Sequence, residues 1–250
     1  MIYCRAMLEI RIKSLADRAY GELRSRITKL EIPPGQMLAE GQLAADLGLS
    51  KTPVREALGR LRQDGFVLSD AKSRYRASPV TIKDTRDLFG MRVLLEGEAA
   101  ALAAGQALGL GDLKALEALQ ATSYDTSSPE SVDAFLEANT RFHVLIGHAS
   151  GNQRLAAVLE LTLIQMERLF RVGLMLSSRA DEIVHEHRTL VQAIVAGDPD
   201  KARAEAIHQV RSSQQMVIDA LVSRDEVLAM PLTIPARRMP ASSDPLMGER

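Results

Sequence analysis

Tryptophan is absent from this chain, tyrosine and phenylalanine number only four and five, and the single cysteine, Cys4, stands near the start. One thiol excludes an internal disulfide and a zinc site built from cysteines. With aromatics scarce and Leu and Ala abundant, helices are favoured over a β-rich fold, because strands draw on aromatic and β-branched side chains. No apolar run approaches the roughly 18 residues that span a bilayer. The opening MIYCRAMLEIRIK lacks the uninterrupted apolar core of a signal peptide. A cytoplasmic protein with no membrane partner is therefore expected. Net charge is also nearly missing, at −1 over 250 residues, but it is unevenly spread. Residues 1 to 76 hold 14 Lys and Arg against 9 Asp and Glu, a net of +5, and the remainder holds 17 against 23, a net of −6. The asymmetry points to a module for a polyanion joined to something else.

What is present begins with an amphipathic stretch, LADRAYGELRSRITKL, whose Leu15, Ala19, Leu23, Ile27 and Leu30 recur at helical spacing. Pro33, Pro34 and Gly35 end it. A second helix is expected over EGQLAADLG with Leu43, Ala44 and Leu47 inward, and Gly48 capping it in the left-handed conformation. Ser50 is placed to cap a third helix and Pro53 lies in its first turn. At 100° per residue Val54, Leu58 and Leu61 share a buried arc, while Lys51, Thr52, Arg55, Gly59 and Arg62 face outward and Arg60 points elsewhere. The following DGFVLSDAKSRYRASPV reads as a β-hairpin with Lys72, Arg74 and Arg76 near its tip. Helix, helix, turn, helix and basic wing is a winged helix-turn-helix order, suited to a recognition helix in the major groove of double-stranded operator DNA.

The segment IPPGQMLAEGQLAADLGLSKTPVREALGRLRQDGFV resembles the winged helix-turn-helix of the GntR family of bacterial transcription regulators. The resemblance implies DNA contacts by Lys51, Thr52 and Arg55, to which the outward Arg62 and the wing residues Lys72 and Arg74 are added from their placement. Two positions depart from the family: Gly41 stands where it often has a DNA-contacting Arg, and Arg74 where the wing tip is usually Gly.

From Thr81 onward the chain reads as successive helices broken at GLGD, SYDTSSPES, ASGN, SSRAD and AGDPD, enough for an all-α bundle of six or seven helices with an interior pocket. The fold class is therefore mainly α. The expected divisions are a leader over 1–12, the winged helix over 13–80, the helical bundle over 81–223 and a disordered tail over 224–250. Helical phase turns Arg92 inward among Leu88, Leu95 and Ala99. It places Asn139 and His143 on the flank of the Phe135, Phe142, Leu145 and Ile146 stripe, and His187 within that of Ile183, Leu190, Val191 and Ile194. His148, His185 and His208 face out, and Gln209 lies at the edge of an apolar side. A buried arginine is costly unless it meets an anion. Glu96, one turn on, or a bound carboxylate are the two candidates for Arg92.

This second half resembles the FCD-type ligand-binding domain found with GntR winged helices, on the strength of MRVLLEGEAAALAA, NTRFHVLIGHASGN and EHRTLVQAIVAGDPDKARAEA. The resemblance implies a helical bundle that binds a small carboxylic acid effector, often through a metal held by an acidic or amide residue and three histidines. Asn139, His143 and His187 match three of those ligand positions, and Gln209 stands at the fourth. Only a weakly held divalent, zinc-like metal is expected on Asn139, His143 and His187, with His143, His187 and Arg92 binding the acid's carboxylate directly and Asn139 and Gln209 completing the effector site. The expected function is a ligand-responsive homodimeric regulator acting as a repressor. The alternative is a metal-dependent hydrolase using the His143 and His187 pocket.

Overall fold

The computed structural model describes residues 14–71, 74–106, 109–176 and 179–225. The expected leader and most of the expected tail lie outside these residues. The element order is α1 (Leu15–Thr28), β1 (Met37–Leu38), α2 (Glu40–Leu47), α3 (Lys51–Gln63), β2 (Val67–Ser69), β3 (Tyr75–Ala77), α4 (Ile82–Ala104), α5 (Leu110–Gln120), α6 (Pro129–Ala149), α7 (Gln153–Leu176), α8 (Ala180–Val195) and α9 (Pro199–Asp225). The chain is mainly helical, with a small antiparallel sheet in the order β1-β3-β2.

The front unit forms as its periodicity dictates. Ser14 and Asp17 make a reciprocal capping box at the start of α1. Ala19, Leu23 and Ile27 of α1 meet Val54, Leu58 and Leu61 of α3, all essentially inaccessible to solvent. Gly48 ends α2 at φ 63, ψ 37, the left-handed cap that only glycine adopts without steric cost. Ser50 is the residue before α3, but its hydroxyl makes no cap bond. The hairpin β2–β3 is accompanied by a third strand, β1, in which Met37 faces Arg76 and Leu38 faces Tyr75. Two residues at the exit of the proline loop are too few to carry an alternation signal.

The stripe expected along α1 fails at both ends. Leu15 is 56% exposed. α1 stops at Thr28, and Leu30 takes φ 61, a left-handed conformation that costs a branched residue of order 1–3 kcal/mol. That turn throws Leu30 away from the front core and onto Val172 of α7 and Ala220 of α9, where its burial holds the conformation.

Behind the winged helix, α4 and α9 form the most extensive helix pair of a six-helix bundle. Their close approach needs Gly97, where an added Cβ would sit 3.1 Å from Ile207 Cγ1. The bundle core divides into Ala99, Ala103, Phe142, Leu159 and Ile194 at one end and Phe89, Phe135, Met166, Leu169 and Val217 at the other. Between these clusters lie the buried polar side chains Arg92, Glu96, His143, His187 and Gln209.

Candidate functional site

The outward face of α3 carries the expected cations. Lys51, Thr52, Arg55 and Arg62 are exposed, while Val54 and Leu58 beneath them anchor the helix. Lys51 lies across Gly41, its ammonium 3.9 Å from the point a Gly41 Cβ would occupy, so a cation stands beside the position where the family often has Arg. Arg55 is not a free probe. Glu40 of α2 grips it through Nε to Oε1 at 3.1 Å and Nη2 to Oε2 at 2.7 Å. The Arg55 hydrogen bond holds the Glu40 carboxyl below its ordinary range. A guanidinium has five N–H groups, and this grip leaves a fork of donors for another acceptor while fixing its plane. Arg62 donates to Ser69 Oγ at 3.2 Å, tying the recognition helix to the wing. Arg74 is bound to Asp70 by its side chain at 2.7 Å and by its backbone N–H, which folds back a cation expected to reach outward. Lys72 lies outside the described residues. Arg60 turns to Asp17, at 2.7 Å, and sits over the Tyr20 ring, a structural role that agrees with its phase.

The second site is a narrow cleft in the bundle, with about 370 Å³ of space between atoms including its open mouth, bordered by Arg92, Asn139, His143, Phe170, His187 and Gln209. Arg92 is 1% exposed and stands over the rings of Phe170 and Phe89, with its Nε bonded to Glu96 Oε1. The internal partner expected for Arg92 is therefore present. Glu96 Oε2 lies 2.9 Å from His143 Nδ1. Burial alone would raise the Glu96 carboxyl, but the Arg92 guanidinium and the His143 ring hold it down at about 2. Arg92 Nη1 nevertheless has no partner among the described residues.

The two inward histidines meet edge to face at 5.3 Å, and His187 stacks on Phe142 at 4.1 Å. Burial, with the neighbouring His143 adding to it, pushes the His187 ring well below its usual value, so it is neutral at pH 7. Gln209 is buried at the cleft wall and its Nε2 donates to the Glu186 carbonyl of α8. Asn139 is half-buried on the cleft lining, whereas His148, His185 and His208 are exposed, each as its phase implies. Glu186 and Ser213, also on the cleft, carried no sequence signal. Glu186 is paired with Arg179 at 2.9 Å.

Sequence reasoning also missed the joint between the two units. Gln165 Nε2 donates to the Asp64 carbonyl at 2.6 Å and Arg168 Nη1 to the Ser78 carbonyl at 2.6 Å. Asp133 of α6 binds Arg171 at 2.6 Å and Lys29 at 3.0 Å. Arg168 is 3% exposed, and burial lowers its pKa against the opposing effect of Asp84. The available signal was phase: Ile164, Arg168 and Val172 lie one turn apart on α7. The opposite side of the same helix presents Phe170 and Leu174 to the cleft.

The donors do not fit a tightly held divalent metal. Two imidazoles and two amide oxygens bring no negative charge, and the one carboxylate behind them, Glu96, is already engaged by Arg92 and His143. Among the described residues no group of three His, Cys, Asp or Glu is arranged to hold one.

The chain matches the family described as "Bacterial regulatory proteins, gntR family" over residues 15–75 and the "FCD domain" over residues 87–212. It is 28% identical over 192 residues to the uncharacterized HTH-type transcriptional regulator YdhC of Bacillus subtilis (strain 168), covering 75% of this chain and 84% of that one. It is 29% identical over 188 residues to a protein of Paenarthrobacter nicotinovorans named "Probable D-xylose utilization operon transcriptional repressor", covering 74% and 80%. E. coli McbR/YncC is similar in structure, with a TM-score of 0.66 and 25% identity over 85% of this chain and 99% of that one. A GntR regulator from Rhodococcus sp. RHA1 shares the fold, with a TM-score of 0.65 and 19% identity over 82% and 98%. These relatives are regulators and not enzymes, which removes the hydrolase alternative for His143 and His187. No described helix is long and apolar enough to cross a membrane. From its winged front to its helical rear, the chain belongs to the GntR family of DNA-binding transcription regulators, the group whose second half is an FCD domain.

Proposed function

We propose that the chain is a homodimeric repressor whose grip on operator DNA is set by a small carboxylic acid in the bundle cleft. In this reading Lys51, Thr52, Arg55 and Arg62 meet the operator, Arg74 stays with Asp70, and the cleft takes the effector. Arg92 carries the reading of the cleft: a cation 1% exposed, only partly satisfied by Glu96, bordering a cleft where an anion can complete its bonds. His143, His187, Asn139 and Gln209 complete the lining. The route to DNA is α7, which presents Phe170 and Leu174 to the cleft and Gln165 and Arg168 to the winged helix.

Two copies are required because one winged helix spans only a half-site, and useful affinity comes from a palindrome. Met91 and Leu94 on one face of α4 are 42% and 69% exposed, apolar surface available for a second copy. Repression is supported by the relative named as a D-xylose operon repressor.

The test is reciprocal titration. Gel shifts with operator selected from random DNA, with and without candidate acids, are compared with calorimetry of the same acids with and without operator. The two affinities should weaken each other by the same factor. Operator binding that is indifferent to every acid that binds the cleft would refute the coupling.

A further inference from the structure

The joint between the two units leaves a groove beside the bonds that hold it, with about 890 Å³ of space between atoms including its open mouth. Three helices supply its walls, each through one face. The winged helix contributes Gly21 and Ser25 of α1, and the bundle contributes Glu137 and Arg141 of α6 and Glu167 and Arg171 of α7, one turn apart in each case. At Gly21 an added Cβ would meet nothing within 4 Å, so no packing requires glycine there and its missing side chain keeps that wall open. The charges on the walls divide into two sets. Asp133 takes Arg171 at 2.6 Å and Lys29 at 3.0 Å, a closed structural group. Arg24, Arg141, Glu137 and Glu167 form no ion pair among the described residues. Glu167 is half-buried, and the hydrogen bond it accepts from Thr140 Oγ1 is long, at 3.4 Å. Burial raises its carboxyl against the pull of that bond and of Arg24 and Arg171, so its charge is under-satisfied where it stands. Arg24 lies 5.5 Å from the centroid of the Tyr20 ring, which leaves N–H donors of its guanidinium for an acceptor.

A bare cation reaching Glu167 also meets the unpaired Arg24 and Arg141, and a bare anion on those arginines meets Glu137 and Glu167. A molecule with both charges on neighbouring atoms satisfies both sets at once. We propose that the groove is a second binding site, for an aliphatic α-amino acid, with the ammonium on Glu167, the carboxylate on Arg24 and the side chain against Leu136 and Ile164. The groove shares Leu136 with the bundle cleft but none of the cleft's polar groups, and the inference does not rest on the acid reading of that cleft. Because α1 belongs to one unit and α6 and α7 to the other, the amino acid bonds to both only in this pose. It therefore holds the winged helix to the bundle.

Calorimetry on the full chain at neutral pH compares L-leucine with isoamylamine and isocaproate, which keep its side chain and each lack one of its charges. Gly21→Leu fills the open wall, so the binding it removes belongs to the groove and not to the bundle cleft. On that measure leucine should bind roughly tenfold or more tightly than either analogue. Glu167→Gln keeps the bond from Thr140, removes the ammonium's partner, and should bring leucine down to the affinity of isocaproate. Leucine should also change the operator affinity of the native chain, and the operator affinity of Gly21→Leu should not respond to it. An analogue that binds the groove as tightly as leucine would overturn the paired charges. Leucine binding that survives Gly21→Leu, or no leucine binding at all, would overturn the site. Leucine binding with no change in operator affinity would overturn its hold on the pose. Nothing crowds position 21 and glycine is a poor helix former, so Gly21→Leu should fold; if it does not, Glu167→Gln carries the same comparison.

Discussion

Replacing Glu96 by Gln keeps the size of the side chain and removes its charge, which leaves the Arg92 guanidinium buried with no carboxylate beside it. The magnitude follows from the folded pKa. A carboxyl held at about 2 in the fold and at 4.5 as an ordinary glutamate contributes about 3 kcal/mol of stability at neutral pH. Removing one partner of a buried pair costs about 3–5 kcal/mol, which agrees. The sign is that of a depressed acid: the contribution is complete above pH 4.5 and is lost as pH falls towards 2. Urea unfolding of native protein and Glu96→Gln from pH 7 to pH 3 measures it. The gap between the two should be about 3 kcal/mol at pH 7 and should narrow steadily below pH 4.5. Adding Arg92→Met to Glu96→Gln should recover much of the loss, because the orphaned charge leaves with its partner. A single variant as stable as native protein at pH 7, or a gap that does not close in acid, would refute the view that this pair is held charged in the fold. Arg92→Ala strands Glu96 in the same way, so it should cost stability as well as effector binding.

Other tests address the remaining sites. Arg55→Ala should weaken specific operator binding by about 1–3 kcal/mol per half-site with the fold intact, and unchanged footprinting at native concentrations would reject Arg55 as a base reader. Lys51→Ala should instead flatten the salt dependence of binding, by about one unit of slope if it meets one phosphate. Arg168→Met removes the bond to the Ser78 carbonyl, and the factor by which acid and operator weaken each other should fall towards one in paired titrations. Gln209→His supplies a third imidazole at the cleft and should raise zinc affinity in a chelator competition; no change would mean that position 209 does not face the other donors.

Helical phase carried the sequence reading a long way. Because side chains advance 100° per residue, an apolar stripe tells which neighbours face inward before any partner is known. Arg92, His143, His187 and Gln209 were readable as buried and His148, His185 and His208 as exposed on that ground, and the burial agrees. Gly48 and the winged order were legible because turns and caps are also local. The failures share one cause. Leu30 leaves its stripe because a single left-handed residue breaks the phase, and what stabilises it, Val172 and Ala220, is far along the chain. Glu40 grips Arg55 across 15 residues, Gln209 turns its amide towards Glu186 across 23, and Arg168 reaches Ser78 across 90. Local periodicity determines which side of a helix is buried. How the helices cross determines what each buried polar group meets, and only the folded chain supplies that, because hydrogen bonds depend on distances of a few tenths of an ångström between segments whose spacing no repeat encodes.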